Sequence, residues 1–423
     1  TKVGQWRALA RSLLRDTRLA PLFCCPSQLS AGKTALQFPH CTIPKLNCFE
    51  VRVKLSRQSK NTQINFSVTK WVPWCLLLPL ALGCSQSPAE PEAVPVLPVK
   101  VVIVTMFEIG EDEGDTPGEF QLWKERRDLD QRIAFPQSHH DLYYNPETQV
   151  LGMVTGIGTA KSATATMALG LDPRFDLANA YWMVAGIAGI DPEDASIGSV
   201  AWSSYLVDGD LGHEIDARER PHDWDTGFFA RRTQFPYDPA RPKPNGEMFQ
   251  ANPELRDWAF ALTRNAKLVN PEELEETRAL YTEHPNAQKP PFVLTGGHIA
   301  AMTFWHGALM NDWANKYVAY WSDGATDFVT SAMEETGTYQ ALYYLDQIGR
   351  VDLDRFLVLR GGSNYTMQPP GVSAAENLLK ENDGYAGMEA SLENIYIVGS
   401  MVIDELLGNW ETYAAQVPGA EES

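Results

Sequence analysis

Short apolar runs that end in glycine recur along this sequence, and they limit the fold more than any other feature. Residues 99–106 (VKVVIVTM) are rich in β-branched side chains and predict a buried strand, and residues 181–185 predict another. A helical pattern spans residues 159–171, directly after the glycines of residues 156–158. Because strands alternate with helices through most of the chain, the sequence predicts an α/β fold with a mixed central sheet flanked by helices.

Three pairs of glycines stand at the ends of predicted strands. They are Gly156 and Gly158, Gly186 and Gly189, and Gly361 and Gly362. In open α/β sheets, ligands bind in the crevice at the carboxyl ends of the strands, and glycine lets a ligand approach the backbone closely. Ordinary turn chemistry is the alternative for any single pair. Because neither GxGxxG nor GxxxxGK[ST] occurs, the sequence does not predict a cradle for nucleotide phosphates.

The predicted domain spans residues 99–415. Within it, residues 145–148 (NPET) lie between two apolar runs and predict a β-hairpin. Residues 208–295 break the alternation of strands and helices with polar and proline-rich stretches such as DPARPKPNGEMF. This segment is predicted to be a loop-rich insertion, and long loops in compact domains are usually functional or disordered.

Charge and cysteine content both change near residue 84. Residues 1–70 contain 12 of the 35 basic residues and 2 of the 54 acidic ones, so residues 85–423 hold 23 basic and 52 acidic groups. Such an acidic segment is a poor candidate for binding nucleic acid or anionic lipid. All six cysteines also lie at or before Cys84, which excludes a thiolate nucleophile from the main domain and suits an oxidising compartment.

Residues 70–84 (KWVPWCLLLPLALGC) predict a secretory signal peptide. The apolar run of about 14 residues is too short to span a bilayer, and its end resembles a bacterial lipobox with Cys84 as the lipidated residue. A buried segment of a longer fold is the alternative. Residues 85–98 contain four prolines and predict an extended tether, whereas residues 1–69 are expected to be non-native upstream sequence or a disordered segment. The predicted location is extracytoplasmic, in the bacterial periplasm or at the outer membrane as a lipoprotein.

Several motifs occur in the order found in the nucleoside phosphorylase and nucleosidase superfamily. They are TGIG (155–158), AGIAG (185–189), SAMEET (331–336) and RGGSN (360–364). The sequence more closely resembles the purine nucleoside permease family, in EIDARE (214–219), WDTG (224–227), WHG (305–307), AMEETG (332–337) and PPG (369–371). The resemblance covers roughly residues 99–415 and implies a nucleoside-phosphorylase-like fold.

The resemblance also implies a site for the ribose of a nucleoside. Met333 matches the residue that packs on the sugar, and Glu334 matches the carboxylate that accepts hydrogen bonds from the ribose hydroxyls. Trp305 and His306 are expected near the same pocket. A solvated helix position for Glu334 and a core position for His306 are the alternatives.

Ser363 and Asn364 match the position that contacts the purine base in the superfamily. Asn364 can donate a hydrogen bond to purine N7 but cannot transfer a proton, and an amide suits 6-oxopurines because it offers both a donor and an acceptor. Glu108, in the loop after the first strand, is the first candidate for the general acid or base of the hydrolytic relatives. Glu111 and Glu113 lie nearby and leave that choice open, and the whole acidic loop could instead be a solvated surface.

The function predicted from the resemblance is purine nucleoside binding in uptake, with the ligand passed to a separate transporter. The alternative is cleavage of the N-glycosidic bond by a hydrolase or a phosphorylase. Val184 and Ile187 stand where phosphorolytic relatives place phosphate-binding residues, so phosphate is only a candidate co-substrate. No other cofactor and no metal site are expected, since the histidines show no ligand spacing. A homo-oligomer is expected by analogy with the superfamily.

Overall fold

The computed structural model of the protein describes residues 95–382 and 384–419. All of these residues belong to one compact unit. The predictions made for residues 1–69 and 70–84, and for most of the tether at 85–98, lie outside the described residues. Within this part of the chain, no helix combines the length and the apolar character that crossing a membrane requires.

Sixteen strands occur among the described residues, and twelve of them form one mixed sheet. In chain order the strands are β1 (Leu97–Pro98), β2 (Val101–Thr105), β3 (Gln131–Ile133), β4 (Leu142–Asn145), β5 (Val150–Val154), β6 (Phe175–Asp176), β7 (Tyr181–Ile190), β8 (Val200–Ser203), β9 (Tyr205–Asp208), β10 (Gly212–Glu214), β11 (Phe228–Ala230), β12 (Met248–Gln250), β13 (Val293–Thr295), β14 (Gly297–Ala300), β15 (Phe328–Ala332) and β16 (Phe356–Tyr365). The remaining four strands form two separate pairs, β1 with β6 and β10 with β11.

Helices cover both faces of the large sheet. In chain order they are α1 (Gln121–Arg126), α2 (Thr159–Leu171), α3 (Pro253–Thr263), α4 (Glu272–Ala279), α5 (Ala308–Ser322), α6 (Glu335–Asp346), α7 (Ala374–Glu381), α8 (Met388–Gly408) and α9 (Trp410–Ala415). Successive residues of a strand point to opposite faces. Val102 and Val104 of β2 accordingly belong to the core formed with α2 and α6, whereas Val101 and Ile103 belong to the core formed with α3 and α8. The predicted α/β class, with a mixed central sheet flanked by helices, is confirmed.

Strand β7 occupies the middle of the large sheet. It pairs in parallel with β2 and β16 and antiparallel with β15. The strand was predicted for residues 181–185 but continues to Ile190, because glycine and alanine have low strand propensity while β16 supplies a partner along its whole length. The register of β16 shifts between Gly362 and Asn364, so Ser363 forms an irregularity at the end of the strand.

The segment 208–295 combines long irregular stretches with short strands and two helices. Its first part forms the small pair of β10 and β11. Its later part adds β12 beside β9 and β13 beside β8, both in the large sheet, and supplies α3 and α4. Helix α3 begins where the side chain of Asn252 accepts hydrogen bonds from the N–H groups of Glu254 and Leu255, with Pro253 as its first residue.

Candidate functional site

A cavity of about 240 Å³ lies at the ends of β7, β15 and β16, and we call it the Glu334 cavity. Five of the residues predicted from the sequence line it together: Gly189, Met333, Glu334, Ser363 and Asn364. The structure adds residues that the sequence did not single out, chiefly Glu119, Arg360, Phe304 and Tyr385. The cavity therefore combines carboxylates, one guanidinium and aromatic rings.

Glu334 lies at the turn from β15 into α6 and is only 3% exposed. Its Oε1 accepts a hydrogen bond from the N–H of Gly158 at 2.9 Å. Its Oε2 accepts from Arg360 Nη2 at 2.8 Å and from the N–H of Met333 at 3.2 Å. Burial raises the pKa of Glu334, and the Arg360 guanidinium counteracts this. Because Oε1 accepts only one of these bonds, it keeps a lone pair for a ligand donor.

Arg360 stands at the centre of a buried ionic cluster. Its Nε donates to Glu335 Oε1 in addition to the bond from Nη2 to Glu334. On the other side of Glu335, His298 Nε2 lies 2.7 Å from Oε2. Burial raises the pKa of Glu335, but the Arg360 charge and His298 outweigh it and hold that pKa below its usual range. Glu335 is therefore ionised, and it holds the Arg360 guanidinium in place through the bond to Nε.

Glu119 completes the cluster on the side of the loop before α1. Its Oε1 accepts from the N–H of Ile187 and its Oε2 from the N–H of Met106, both at 2.8 Å. Arg360 Nη1 lies 3.8 Å from Oε1. Burial raises the pKa of Glu119 to about 8, although the Arg360 charge lowers it. At neutral pH this carboxyl group is therefore mostly protonated.

The predicted glycines serve the cluster in different ways. A Cβ atom on Gly186 would lie 2.5 Å from Glu119 Oε1 and 2.6 Å from Arg360 Nη1, so this glycine makes room for charged side chains and does not line the cavity. Gly158, at φ +102°, turns its N–H toward Glu334 just before α2 begins. Gly156 also has a positive φ, of +82°, but a Cβ there would meet the side chains of Lys161 and His139, neither of which lines the cavity.

Glu108 lies in the predicted loop but does not line the cavity. Its two oxygens accept hydrogen bonds from backbone N–H groups, those of Ile109, Gly118, Phe120 and Gln121. The carboxylate therefore holds the loop and the start of α1, and Glu119, eleven residues later in sequence, is the glutamate that reaches the cavity. No pattern in the sequence separates the two, because the difference arises from how the loop folds back.

Trp305 lines a small cavity of about 30 Å³ together with Gly189, Met333 and Asn364, but neither Trp305 nor His306 lines the Glu334 cavity itself. They line a larger cavity of about 640 Å³ between α5 and the segment around β10 and β11, and Phe304 contributes to the Glu334 cavity in their place. The His306 side chain is buried, and its burial lowers its pKa to about 4. Its Nε2 lies 3.1 Å from Asn377 Nδ2.

Ser363 and Asn364 lie at the irregular end of β16. The hydroxyl of Ser363 is 3.1 Å from Asn364 Oδ1, and Asn364 Nδ2 donates to Glu381 Oε2 at 3.3 Å. Glu381 is the last residue of α7, and no motif in the sequence pointed to it. Burial raises its pKa to about 7.

The chemistry available to the cavity follows from these groups. The rings of Phe304 and Tyr385 stack with centroids 6.2 Å apart and form one aromatic wall. Among the described residues that line the cavity, Arg360 is the only cation, and carboxylates already engage it. No set of three or more metal-ligating side chains is grouped to hold an ion within the described part of the chain.

The main domain matches the model of a known protein family. A family model described as purine nucleoside permease matches residues 98–418. A purine nucleoside permease of Candida albicans is 29% identical over 323 residues, which cover 74% of this chain and 76% of that protein. A probable purine nucleoside permease of Schizosaccharomyces pombe is 27% identical over 285 residues, which cover 65% of this chain and 80% of that protein.

Solved structures similar to the chain include two hydrolases. A 5'-methylthioadenosine/S-adenosylhomocysteine nucleosidase from Neisseria meningitidis is 16% identical with a TM-score of 0.42, covering 74% of this chain and 100% of its own. The futalosine hydrolase of Helicobacter pylori is 15% identical with a TM-score of 0.45, covering 73% of this chain and 98% of its own.

The relatives correct the predicted location. Both permeases are fungal proteins, and a fungal cell has neither the periplasm nor the outer membrane of a bacterium. The prediction of a bacterial periplasmic or outer-membrane lipoprotein is therefore wrong. It depended on four residues that resemble a lipobox, and a short apolar run ending in small residues and cysteine is a weak signal.

Proposed function

Because the chain belongs to the purine nucleoside permease family, we propose that it binds a purine nucleoside in the Glu334 cavity as a step in nucleoside uptake. Glu334 carries this proposal. It is a buried carboxylate held in one orientation by Gly158 and Arg360, beside Met333, with acceptor capacity left on Oε1. A ribose hydroxyl would donate to that oxygen, and such a charge-assisted bond is stronger than one between neutral groups.

The other walls of the cavity suit the rest of a nucleoside. The aromatic wall of Phe304 and Tyr385 offers an apolar surface for a planar purine. Ser363 and Asn364 offer polar atoms to the edge of the base. Oriented polar groups on an otherwise apolar cavity are the usual composition of a small-molecule site.

The variant Glu334→Gln tests the binding proposal. It keeps the shape of the side chain and leaves Glu335 to pair with Arg360, but it removes the charge that accepts from ribose. We expect inosine to bind roughly 10- to 100-fold more weakly, as measured by equilibrium dialysis. Glu273→Gln, on the exposed face of α4, is the control and should bind like the wild type. Undiminished binding by a folded Glu334→Gln variant would refute this site.

Cleavage of the N-glycosidic bond by water is a second candidate function, and Glu119 favours it. In its ionised form Glu119 would take a proton from a water molecule whose oxygen bonds to C1' of the ribose. The bond from C1' to the purine nitrogen breaks, and the purine takes a proton from solvent and leaves neutral. Arg360, the only cation among the described residues of the cavity wall, is already paired with carboxylates, so a hydrolytic reaction suits the cavity better than one that needs phosphate.

The appearance of free purine in the reaction mixture shows whether the protein cleaves the nucleoside. We expect release without added phosphate, a rate that rises with pH up to about 8, and loss of release in Glu119→Gln with inosine binding retained. Chromatography of wild type and variant reactions across pH measures this. Release that requires phosphate would contradict hydrolysis, and binding without release would leave nucleoside binding as the whole function of the cavity.

A further inference from the structure

The side-chain amide of Asn364 has little hydrogen-bonding capacity left for a ligand. Its Nδ2 donates to Glu381 Oε2 and to the backbone oxygen of Tyr365, both at 3.3 Å. Its Oδ1 lies 3.1 Å from the Ser363 hydroxyl. An amide has two donor hydrogens and two acceptor lone pairs. Both donors are therefore used, and the free capacity of Asn364 lies in the acceptor lone pairs of Oδ1.

Glu381 is the last residue of α7 and is fixed from two sides. Its Oε1 accepts a hydrogen bond from Asn377 Nδ2 at 3.3 Å, one turn earlier on the same helix. His306 Nδ1 lies 4.0 Å from the same oxygen. Its Oε2 is the atom that accepts from Asn364. Glu381 does not line the Glu334 cavity, but it is hydrogen-bonded to Asn364, which does.

We propose that Glu381 is a positioning residue that sets the orientation of the Asn364 amide and thereby decides whether the cavity prefers a 6-amino or a 6-oxo purine. The proposal rests on the nucleoside binding proposed above. It adds a determinant of which purine is bound, and it assigns that determinant to a residue outside the cavity wall.

The two states of Glu381 present opposite groups to the base. An ionised Glu381 only accepts, so it holds Asn364 Nδ2 and leaves Oδ1 to accept from the exocyclic amino group of a 6-aminopurine. A protonated Glu381 can donate, and it then favours the rotated amide, whose oxygen accepts from Glu381. Rotation breaks the bond to Tyr365 O but turns an N–H donor toward the ligand, which suits the oxygen of a 6-oxopurine.

Glu381 is the group in its surroundings that changes charge near neutrality. Its pKa is about 7. Burial lowers the pKa of His306 to about 4, so His306 stays neutral, and burial raises the pKa of Tyr281 and Tyr385 above the ordinary tyrosine value. Lys380, the neighbouring cation on α7, is exposed. Raising the pH through about 7 should therefore shift preference from 6-oxo to 6-amino purines.

Dissociation constants for adenosine and inosine test this on the full chain. They are measured about one pH unit below and one unit above the pKa of Glu381, and their ratio is compared, because other titrating groups such as Glu119 affect both ligands. We expect the ratio to move about tenfold in favour of adenosine at the higher pH. In Glu381→Gln and in Asn364→Ala the ratio should stay constant with pH, whereas Glu273→Gln should behave like the wild type.

The outcomes separate this inference from the function on which it depends. A wild type that binds both nucleosides with a ratio independent of pH overturns the role of Glu381 and leaves nucleoside binding intact. An unchanged pH shift in Glu381→Gln does the same. A wild type that binds neither nucleoside overturns the proposed function and this inference with it.

Discussion

Burial and hydrogen-bond partners distinguish the residues of the site from similar residues nearby in the chain. Glu108 and Glu119 lie in the same loop, yet Glu108 accepts bonds from four backbone N–H groups and Glu119 faces Arg360 in the cavity. Burial and the nearby Glu334 charge raise the pKa of Glu119 to about 8, although Arg360 opposes them. A carboxyl group with a pKa near the working pH can serve as a general base, which is why Glu119 becomes the candidate.

The raised pKa of Glu119 predicts how stability changes with pH. The folded protein keeps this proton up to about pH 8, whereas an unfolded chain loses it near the ordinary value of 4.5. Between these values the unfolded state binds fewer protons, so the contribution of Glu119 to the free energy of unfolding falls as pH rises. Glu119→Gln cannot ionise, and we expect it to gain a few kcal/mol relative to wild type from about pH 5 to 8.

Urea unfolding of wild type and Glu119→Gln at several pH values measures this difference. Glu273→Gln, with its exposed side chain, is the control and should show no comparable change. A difference between wild type and Glu119→Gln that stays constant across the range would mean that Glu119 titrates normally and is not the buried acid described here.

The sequence identified some of these residues and missed others for a physical reason. Met333, Glu334, Ser363 and Asn364 were found because short motifs at strand ends carry them. Arg360 belongs to one of those motifs, but its role was not predicted, because that role consists of its contacts with Glu334 and Glu335. A pairing between residues about 25 positions apart leaves no local pattern, so it cannot be predicted from one sequence.

At the scale of secondary structure elements, the site depends on the close contact between α2 and α6. Gly337, in the first turn of α6, packs on α2: a Cβ there would overlap Thr159 O and lie 2.6 Å from Ser162 Oγ. Glu334 and Glu335 lie at the start of α6, and Gly158 lies at the start of α2. The spacing of the two helices therefore sets the geometry of the Glu334 cavity.

The variant Gly337→Ala tests the importance of this contact. The added methyl group must push α6 away from α2, and overpacking of this kind costs about 1–3 kcal/mol of unfolding free energy. We expect lower stability in urea unfolding together with weaker nucleoside binding. Gly408→Ala, at the end of α8 where a Cβ meets nothing within 4 Å, is the control and should be neutral or slightly stabilising. Equal stability of the two variants would contradict the close packing.

Strands and helices were predicted well where a local sequence pattern determines them, and less well where pairing with another strand determines their length. The hairpin around residues 145–148 appears as β4 and β5, in antiparallel pairing. The helix predicted from residue 159 to 171 is α2 with the same limits. Strand β7 was predicted five residues too short, because its glycine-rich half is stabilised by pairing with β16 and not by its own propensity.

At the scale of the whole molecule, the large sheet gathers distant parts of the chain around the end of β7. The loop before α1, the end of β15, the end of β16 and the residues after α7 all reach the Glu334 cavity. The sequence predicted that strand ends would meet, which follows from α/β architecture. It did not predict that Trp305 and His306 would line a second, larger cavity, because that cavity depends on how the segment around β10 and β11 folds.

The structure of the protein with a purine nucleoside bound tests the central claim most directly. We predict a ribose hydroxyl within hydrogen-bonding distance of Glu334 Oε1, the purine against the wall of Phe304 and Tyr385, and Asn364 at the edge of the base. A nucleoside found instead in the cavity lined by Trp305 and His306, with Glu334 free of ligand, would contradict the account.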